Sequence, residues 1–365
     1  MFKRDKKIVV IFYSLRYNLG INGGNNMGYK ARQLVKLVKE ICKENNIDCK
    51  SFSGDWILEL DKDDEKALIY GYKFPNNDAA ISKVCDDKAA LSDILNANNI
   101  PHVEHEYFEG PKSPMIGEKG FWATLMEKMD KHGKLVLKTN SGSGGTNVYK
   151  CETVKDLEIA AFNILKSHRS MAVAPYIDIE NEYRVIVEGD KARLIYSKQR
   201  PHVVGNGIST LEQLIVNKSF EDVEIMPTLD LKSVPAPGEK VVVSWKHNLG
   251  QGSLPIMVKD KDLIEKLARF ALATANTLNL KFASIDIVKE NNGGYKVLEI
   301  NSGVMMEAFS SLNEEYYKIA KHIYGLAIAD SLNMNIKDNV ETIYEKCSDE
   351  ILKGLSKNGT VRKTK

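Results

Sequence analysis

Asp286, Glu299 and Asn301 are the side chains in this sequence whose types and spacing most directly suggest shared chemistry. They lie in residues 282–303, FASIDIVKENNGGYKVLEINSG. The segment reads as two apolar-alternating strands joined by Asn291-Asn292-Gly293-Gly294, a hairpin signal with Asn-Gly at its centre. With Asn292 and Gly293 as the central residues, Asn291 faces Gly294, Asp286 falls opposite Glu299, and Ser284 falls opposite Asn301. Like charges at a cross-strand pair are destabilising, and a cation held between them removes that cost. Oxygen-only donors suit Mg²⁺ or Mn²⁺ rather than zinc. A hairpin whose polar face is only solvated is the alternative that spacing leaves open.

A second group precedes it. The apolar strand 135–137 runs into Lys138-Thr139-Asn140-Ser141-Gly142-Ser143-Gly144-Gly145-Thr146. Backbone N–H groups of such a loop can lie against phosphate oxygens, with the lysine as a point charge. The loop lacks the G-K-[ST] of a Walker A motif and does not match G-x-G-x-x-G, so a flexible hairpin remains the competing reading. Between the two groups, Ala174-Pro175-Tyr176-Ile177 is a short apolar segment followed by Asp178, Glu180 and Glu182, then Tyr183-Arg184-Val185. An extended segment can read an adenine edge, and a nearby acid can accept ribose hydroxyls.

The elements that must position these residues follow from the hydrophobic periods. Residues 7–13 and 66–72 read as strands around a Gly/Asn-rich loop (19–28) and a helix to about residue 46, so the start resembles a small α/β domain. Ile81, Val84, Ala89, Leu91, Ile94 and Leu95 mark a helical pattern, with Asp87-Lys88 at a helix start. Residues 135–150 read as strand, loop and strand, and 171–177 and 183–197 as further strands. A helix is expected after Gly205-Asn206-Gly207, a long one over 260–280, and a charged helical tail after about 335. The chain of 365 residues is too long for one ordinary core. Its net charge of +2 offers no argument for nucleic acid or a membrane surface. No apolar run approaches a membrane span, and five cysteines without C-x-x-C spacing indicate a reducing compartment, so a cytoplasmic protein is expected. His102 and His105 lie on opposite faces of an alternating strand, which argues against a metal pair there. Met305, Met306 and Phe309 read as packing, Trp245-Lys246-His247 as possible substrate contacts, and Arg16 and residues 22–26 as a loop that could touch substrate.

Taken in order, these elements resemble the ATP-grasp superfamily of carboxylate–amine ligases over about residues 84–310. Residues 201–215 (PHVVGNGISTLEQLI), 234–239 and 248–252 are similar to segments of cyanophycin synthetases and of the ATP-grasp half of bifunctional glutathione synthetases. The resemblance implies an α/β (α+β) ATP-grasp fold: an N-terminal α/β domain (1–84), an ATP-grasp domain (85–334) with a lid subdomain at about 112–176 and a C-terminal antiparallel sheet, and a helical tail (335–365). It implies that Lys88 and Lys138 contact ATP phosphates and that Ser141, Gly142, Ser143, Gly144 and Gly145 form the lid loop. Ala174, Pro175, Tyr176 and Ile177 would be the adenine hinge, and Glu182 the ribose acid. Asp286, Glu299 and Asn301 would hold Mg²⁺, with Mn²⁺ as the other candidate. Arg184, Lys198 and Arg200 would steady the transferred phosphoryl group or the acceptor carboxylate. The sequence departs from those relatives at Lys198, where they carry arginine, and at Gly250-Gln251-Gly252-Ser253, where they carry Ser-Thr-Gly-Gly.

The activity this implies is ADP-forming amide synthesis: a carboxylate is activated as an acylphosphate and an amine displaces phosphate, on amino-acid or small-peptide substrates. The alternatives are a ligase that modifies a ribosomal peptide, protein or carrier-bound substrate, and a nucleotide-binding module without ligase activity. Dimers and tetramers are common among such relatives, so a homodimer or homotetramer is expected. Asp286→Asn and Glu299→Gln are both expected to abolish turnover with little loss of fold.

Overall fold

The computed structural model describes residues 32–110, 120–142, 145, 147–220, 223–335 and 344–349. The chain divides into two compact units, Met1–Arg32 and Gln33–Lys365. Only Arg32 of the first is described, so the expected strand at 7–13, the loop at 19–28 and Arg16 lie outside the described residues, as do Ser143, Gly144 and most of the tail.

The second unit begins with helix α1 (Gln33–Asn45), which buries Leu34, Leu37, Val38 and Ile41 along one helical stripe. An antiparallel meander follows, β1 (Asp48–Phe52), β2 (Ile57–Lys62) and β3 (Glu65–Tyr70). The helical pattern over 81–95 is two helices, α2 (Ala79–Asp86) and α3 (Lys88–Ala97). They break at Asp87, which is extended and caps α3 by accepting from the Ala90 N–H. An aspartate whose side chain captures the next turn's amide ends one helix and starts another. The break places Lys88 in the first turn of α3.

Strands β4 (Glu106–Glu109), β5 (Leu135–Thr139), β6 (Val148–Cys151) and β7 (Ser170–Pro175) form an antiparallel sheet ordered β4-β7-β5-β6. Helices α4 (Phe121–His132) and α5 (Val154–Leu165) complete its separate core, with Phe121, Leu125, Leu137, Leu157 and Ile164 buried. A second sheet holds β8 (Ile179–Glu188), β9 (Lys191–Gln199), β12 (Leu254–Met257), β13 (Phe282–Glu290) and β14 (Tyr295–Asn301) in the antiparallel order β12-β9-β8-β13-β14. The expected single strand over 183–197 is therefore a hairpin. Glu188 pairs with Lys191, and Gly189, at φ +61°, takes the first position of the two-residue turn. The Gly-Asp dipeptide inside an apolar run was the signal for it.

Helix α7 (Lys261–Thr277) is capped by Asp260, and helix α9 (Glu314–Ser331) follows the short helix α8 (Glu307–Ser310). Both long helices share the main core with β8, β9 and β13. A small outlying unit pairs β10 (His202–Val204) with β11 (Lys240–Val242) beside α6 (Leu211–Lys218), which Thr210 and Gln213 open with a reciprocal capping box. The helical segment at 344–349 docks on the β8–β9 hairpin. Arg193 donates to Glu188 Oε2 at 2.7 Å and to Glu345 Oε1 at 3.0 Å, and Glu345 and Ser348 are buried. Arg193→Met keeps the side-chain volume but leaves two buried carboxylates without their cation, a loss of roughly 3–5 kcal/mol. A large fall in thermal midpoint with kinetics near wild type is the expected result.

Candidate active site

The hairpin β13–β14 makes the expected pairs, Asp286 with Glu299 and Ser284 with Asn301. It does so by a different route from the two-residue turn. Gly293 N–H donates to the Glu290 carbonyl at 2.8 Å and Glu290 N–H to the Gly294 carbonyl at 2.9 Å. Asn291 and Asn292 are thus the turn's centre, and Gly293, at φ +87°, closes a three-residue loop. Near the turn Ile287 pairs with Val297, and the register then shifts between Asp286 and Ile287. Leu298 is the extra residue of a bulge. The longer turn and the bulge offset each other, and the two carboxylates meet.

Asp286 also pairs with Arg184 on β8, which pairs with Tyr196 on β9. One row, Glu299–Asp286–Arg184–Tyr196, therefore crosses four strands on one face. Arg184 grips Asp286 bidentately, Nε to Oδ1 and Nη2 to Oδ2, each at 2.7 Å. Lys198 Nζ donates to Asp286 Oδ2 at 2.7 Å and to Glu182 Oε1 at 2.5 Å. Asp286 is 2 % exposed. Burial alone would raise its pKa, but Arg184 and then Lys198 overcome that and bring it down to about 2. The same partners keep Arg184 and Lys198 firmly charged against the opposing effect of burial. Arg200 lies just beyond the end of β9, outside this cluster.

Glu299 is held more loosely: its carboxylate is 26 % exposed and 3.8 Å from Lys88 Nζ. Lys88 Nζ donates to the Gly142 carbonyl at 3.0 Å. The start of α3 is stitched to the same loop, Lys88 N–H to the Asn140 carbonyl and Ala89 N–H to Asn140 Oδ1, each at 3.2 Å. Asp87 also bridges Ser141. Sequence reasoning missed Asn140; an amide between the strand-end lysine and the Ser-Gly turn was its only signal. Lys138, at the end of β5, is buried, and desolvation pushes its ammonium pKa down to about 8, with Lys88 adding to the fall and Glu299 and Glu182 opposing it.

The expected hinge residues Ala174 and Pro175 end β7. Tyr176 N–H is committed to the Lys134 carbonyl at 3.0 Å, and its ring meets Trp245 edge-on at 6.2 Å. His247, next to that tryptophan, is bonded to the Lys198 carbonyl at 2.8 Å, and burial keeps its pKa low. Asn248 lies against Gly145: a Cβ on that glycine, which sits at φ +69°, would collide with the Asn248 amide. The segment 245–248 thus reaches the hinge, the buried lysine and the glycine loop together. Met306 and Phe309 are buried, as packing requires, whereas Met305 is exposed. Gly145→Ala imposes a strained backbone and this clash, worth about 1–2 kcal/mol. We expect a roughly tenfold rise in KM for ATP with little change in thermal midpoint, read by steady-state kinetics and melting.

The donor set fits a hard cation. Asp286 Oδ1 accepts the Arg184 Nε–H and keeps a lone pair, Glu299 keeps most of its capacity, and Asn301 lies one pair further along the hairpin. The Ser284 hydroxyl between them is buried without a hydrogen-bond partner among the described residues. No cluster of three or more His, Cys, Asp and Glu suited to a metal occurs among the described residues. Nor is any described helix long and apolar enough to cross a membrane.

Comparison with known proteins bears on this geometry. No family profile matches the chain. It is 24% identical over 258 residues to the glutathione biosynthesis bifunctional protein GshAB of Clostridium perfringens, a match covering 62% of this chain and 32% of that protein. It is 24% identical over 296 residues to the tetrahydromethanopterin:alpha-L-glutamate ligase of Methanocaldococcus jannaschii, covering 80% of this chain and 82% of that one. The crystal structure of a bifunctional glutathione synthetase from Pasteurella multocida superposes with a TM-score of 0.51 at 14% identity, over 81% of this chain and 43% of the other. The chain thus spans about a third of the first curated relative and under half of the solved one. In fold the chain is similar to that synthetase, a mixed α/β architecture with antiparallel sheets.

Proposed function

We propose that this chain is an ATP-dependent carboxylate–amine ligase that releases ADP and phosphate. The observation that carries the reading is the row Glu299–Asp286–Arg184 flanked by Lys198, Lys88 and Lys138. Four cations converge with three carboxylates, Glu182 included, so the site has positive charge to spare for a polyphosphate, and oxygen ligands for the metal that accompanies it. A substrate carboxylate oxygen attacks the γ-phosphorus, the bond to the bridging oxygen breaks and ADP leaves. The amine nitrogen then attacks the acyl carbon, phosphate leaves and the amine proton goes to solvent or phosphate.

In this reading Lys88 and Lys138 hold phosphate oxygens, and residues 141–145 close over them with Asn248 at their back, excluding water from the acylphosphate. Asp286, Glu299 and Asn301 would hold Mg²⁺ or Mn²⁺. The ion, when bound, supplies charge neutralisation at the phosphates. Arg184 fixes Asp286 in its ionised form at any physiological pH. Lys198 is committed to Asp286 and Glu182, which leaves Arg200 as the other candidate for the transferred phosphoryl group. Glu182 keeps Oε2 for a ribose hydroxyl. Positioning and electrostatics carry the rate, and no protein nucleophile is needed.

We assign residues 85–334 to the ATP-grasp domain and about 112–176 to its lid, and propose a homodimer or homotetramer in the cytoplasm. One curated relative is named for glutathione biosynthesis and the other for ligation of α-L-glutamate, which supports an amino acid or short peptide as substrate. A phosphate-release screen of amino-acid and carboxylate pairs with Mg-ATP, followed by nucleotide analysis, tests the reading. ADP and phosphate appearing only with a matched acid and amine is the expected result; AMP and pyrophosphate would refute it.

A further inference from the structure

His105 has no part in the chemistry above, yet its ring is buried beside the two phosphate lysines. Its position follows from register. Lys138 pairs with Ala172, and Ala172 with Tyr107, so one row crosses β5, β7 and β4. His105 precedes Tyr107 by two residues and falls on the same face as Lys138. It also lines a recess of about 10 Å³ with Lys88, Ser92, His102, Val297 and Glu299.

The hydrogen bonds around it define its state. His102 Nδ1 is bonded to the Ile100 carbonyl at 2.8 Å, and its Nε2 lies 3.0 Å from Ser92 Oγ. Donation from Nδ1 leaves Nε2 to accept the serine hydroxyl, and Ser92 Oγ in turn accepts the His105 backbone N–H at 3.0 Å. The His105 ring bonds to the Val103 backbone, while its Nε2 is buried with no hydrogen-bond partner among the described residues. Burial, reinforced by Lys138, Lys88 and His102, holds the ring neutral. The charged groups facing it are Lys88 from α3, Lys138 from β5 and Glu299 from β14. β7, which lies between β4 and β5, offers no titratable side chain. A neutral imidazole bonded through Nδ1 keeps a lone pair on Nε2.

We propose that His105 is a positioning residue for ATP binding: its Nε2 accepts a hydrogen bond relayed from the Lys88 ammonium through one water in the recess. An ammonium has three donors. Gly142 takes one from Lys88 and His105 a second, while the third, with Glu299 beyond hydrogen-bond reach at 3.8 Å, stays free for phosphate. Lys88 is thereby aimed at phosphate from two sides, and a neutral acceptor stands where a further charge would drive both lysines away. The proposal rests on reading Lys88 and Lys138 as phosphate ligands.

The test is titration calorimetry of Mg-ATP into wild type, His105→Phe and His105→Gln, with melting curves for all three. Phe removes the acceptor while keeping a ring, and Gln returns an acceptor near the Nε2 position. Hydrogen bonds to charged groups are worth about 1.5–3 kcal/mol, so the Phe variant should bind at least about tenfold more weakly. The Gln variant should recover most of that loss. The Phe variant also gives up the ring's bond to the Val103 backbone, so its melting point should fall modestly, and recovery of affinity in the Gln variant separates positioning from stability. Unchanged affinity in the Phe variant, or a loss that Gln does not restore, overturns the proposal. Should the Phe variant not fold, ¹⁵N-histidine spectra of wild type decide. A neutral ring between about pH 5.5 and 8 whose Nε2 resonance moves on adding Mg-ATP supports it, and an unmoved resonance overturns it. Binding is read without ligation, so wild type that binds ATP but joins no acid and amine would sink the ligase reading and leave His105 standing.

Discussion

Glu299→Gln should abolish ATP turnover while leaving the thermal midpoint within a degree or two of wild type. The carboxylate is partly exposed and its nearest cation is 3.8 Å away, so loss of its charge removes a weak pair from the folded protein, worth about 1 kcal/mol or less. What it removes from the site is one of two carboxylates facing each other across the hairpin, the charge that would draw a divalent ion between them. Asp286→Asn should abolish turnover equally but unfold at a clearly lower temperature. Here the expectation of an undisturbed fold does not survive the geometry. Asp286 is buried, and its charge balances Arg184 and Lys198 together. Breaking a buried pair from one side costs roughly 3–5 kcal/mol. Parallel melting and phosphate-release assays separate the two variants; full activity in Glu299→Gln would refute the metal edge.

Lys138→Met should make the protein more stable and worse at binding ATP. The lysine is buried and its folded pKa, about 8, lies below the ordinary value of 10.5 because desolvation outweighs the attraction of Glu299. The sign follows from proton counting. Between those two values the unfolded chain holds a proton that the folded chain has shed, so stability rises with pH across that window. Below about pH 8 the full penalty is present, on the order of a few kcal/mol. Removing the charge should therefore raise the melting point at pH 7, with a gain that shrinks toward pH 10. Affinity for Mg-ATP should fall by about tenfold or more, the value of a charge-assisted hydrogen bond. In wild type a bound phosphate supplies the missing counter-charge and raises the lysine's pKa. Calorimetry near pH 8 in buffers of different ionisation enthalpy should then detect proton uptake on ATP binding. Lower stability together with unchanged affinity would contradict this assignment of Lys138.

The residues of the site were legible wherever chemistry and local period coincide. Asp286 facing Glu299 came from alternation and a turn signal, although the turn has three residues and Leu298 bulges. A bulge leaves the apolar pattern of both flanks intact, so no periodic reading detects it. Lys88 and the loop at 138–145 were visible as a helix start and a glycine cluster, but their mutual hydrogen bonds through Asn140 depend on two segments meeting in space. The Arg184–Asp286–Lys198–Glu182 cluster was legible as separate candidates. That Lys198 is saturated by carboxylates follows only from the pairing of β8, β9 and β13. His105 was the least legible: alternation set it on the face opposite His102, whereas both line one recess, and nothing in a local pattern places it beside Lys138 across β7. The hairpin at Gly189 was a missed signal rather than a hidden one, since Gly-Asp between apolar runs marks a turn.

The central claim, that a carboxylate attacks the γ-phosphate of ATP in this site, is tested most directly by isotope transfer. Mg-ATP, an amine pool and a pool of amino acids labelled with ¹⁸O in their carboxylates would be incubated with the protein, and the released phosphate analysed for mass. The account predicts that one carboxylate ¹⁸O appears in each phosphate released with ADP, and that Glu299→Gln releases none. Unlabelled phosphate from an active wild-type protein would mean that water, not a carboxylate, receives the phosphoryl group, and would contradict the account.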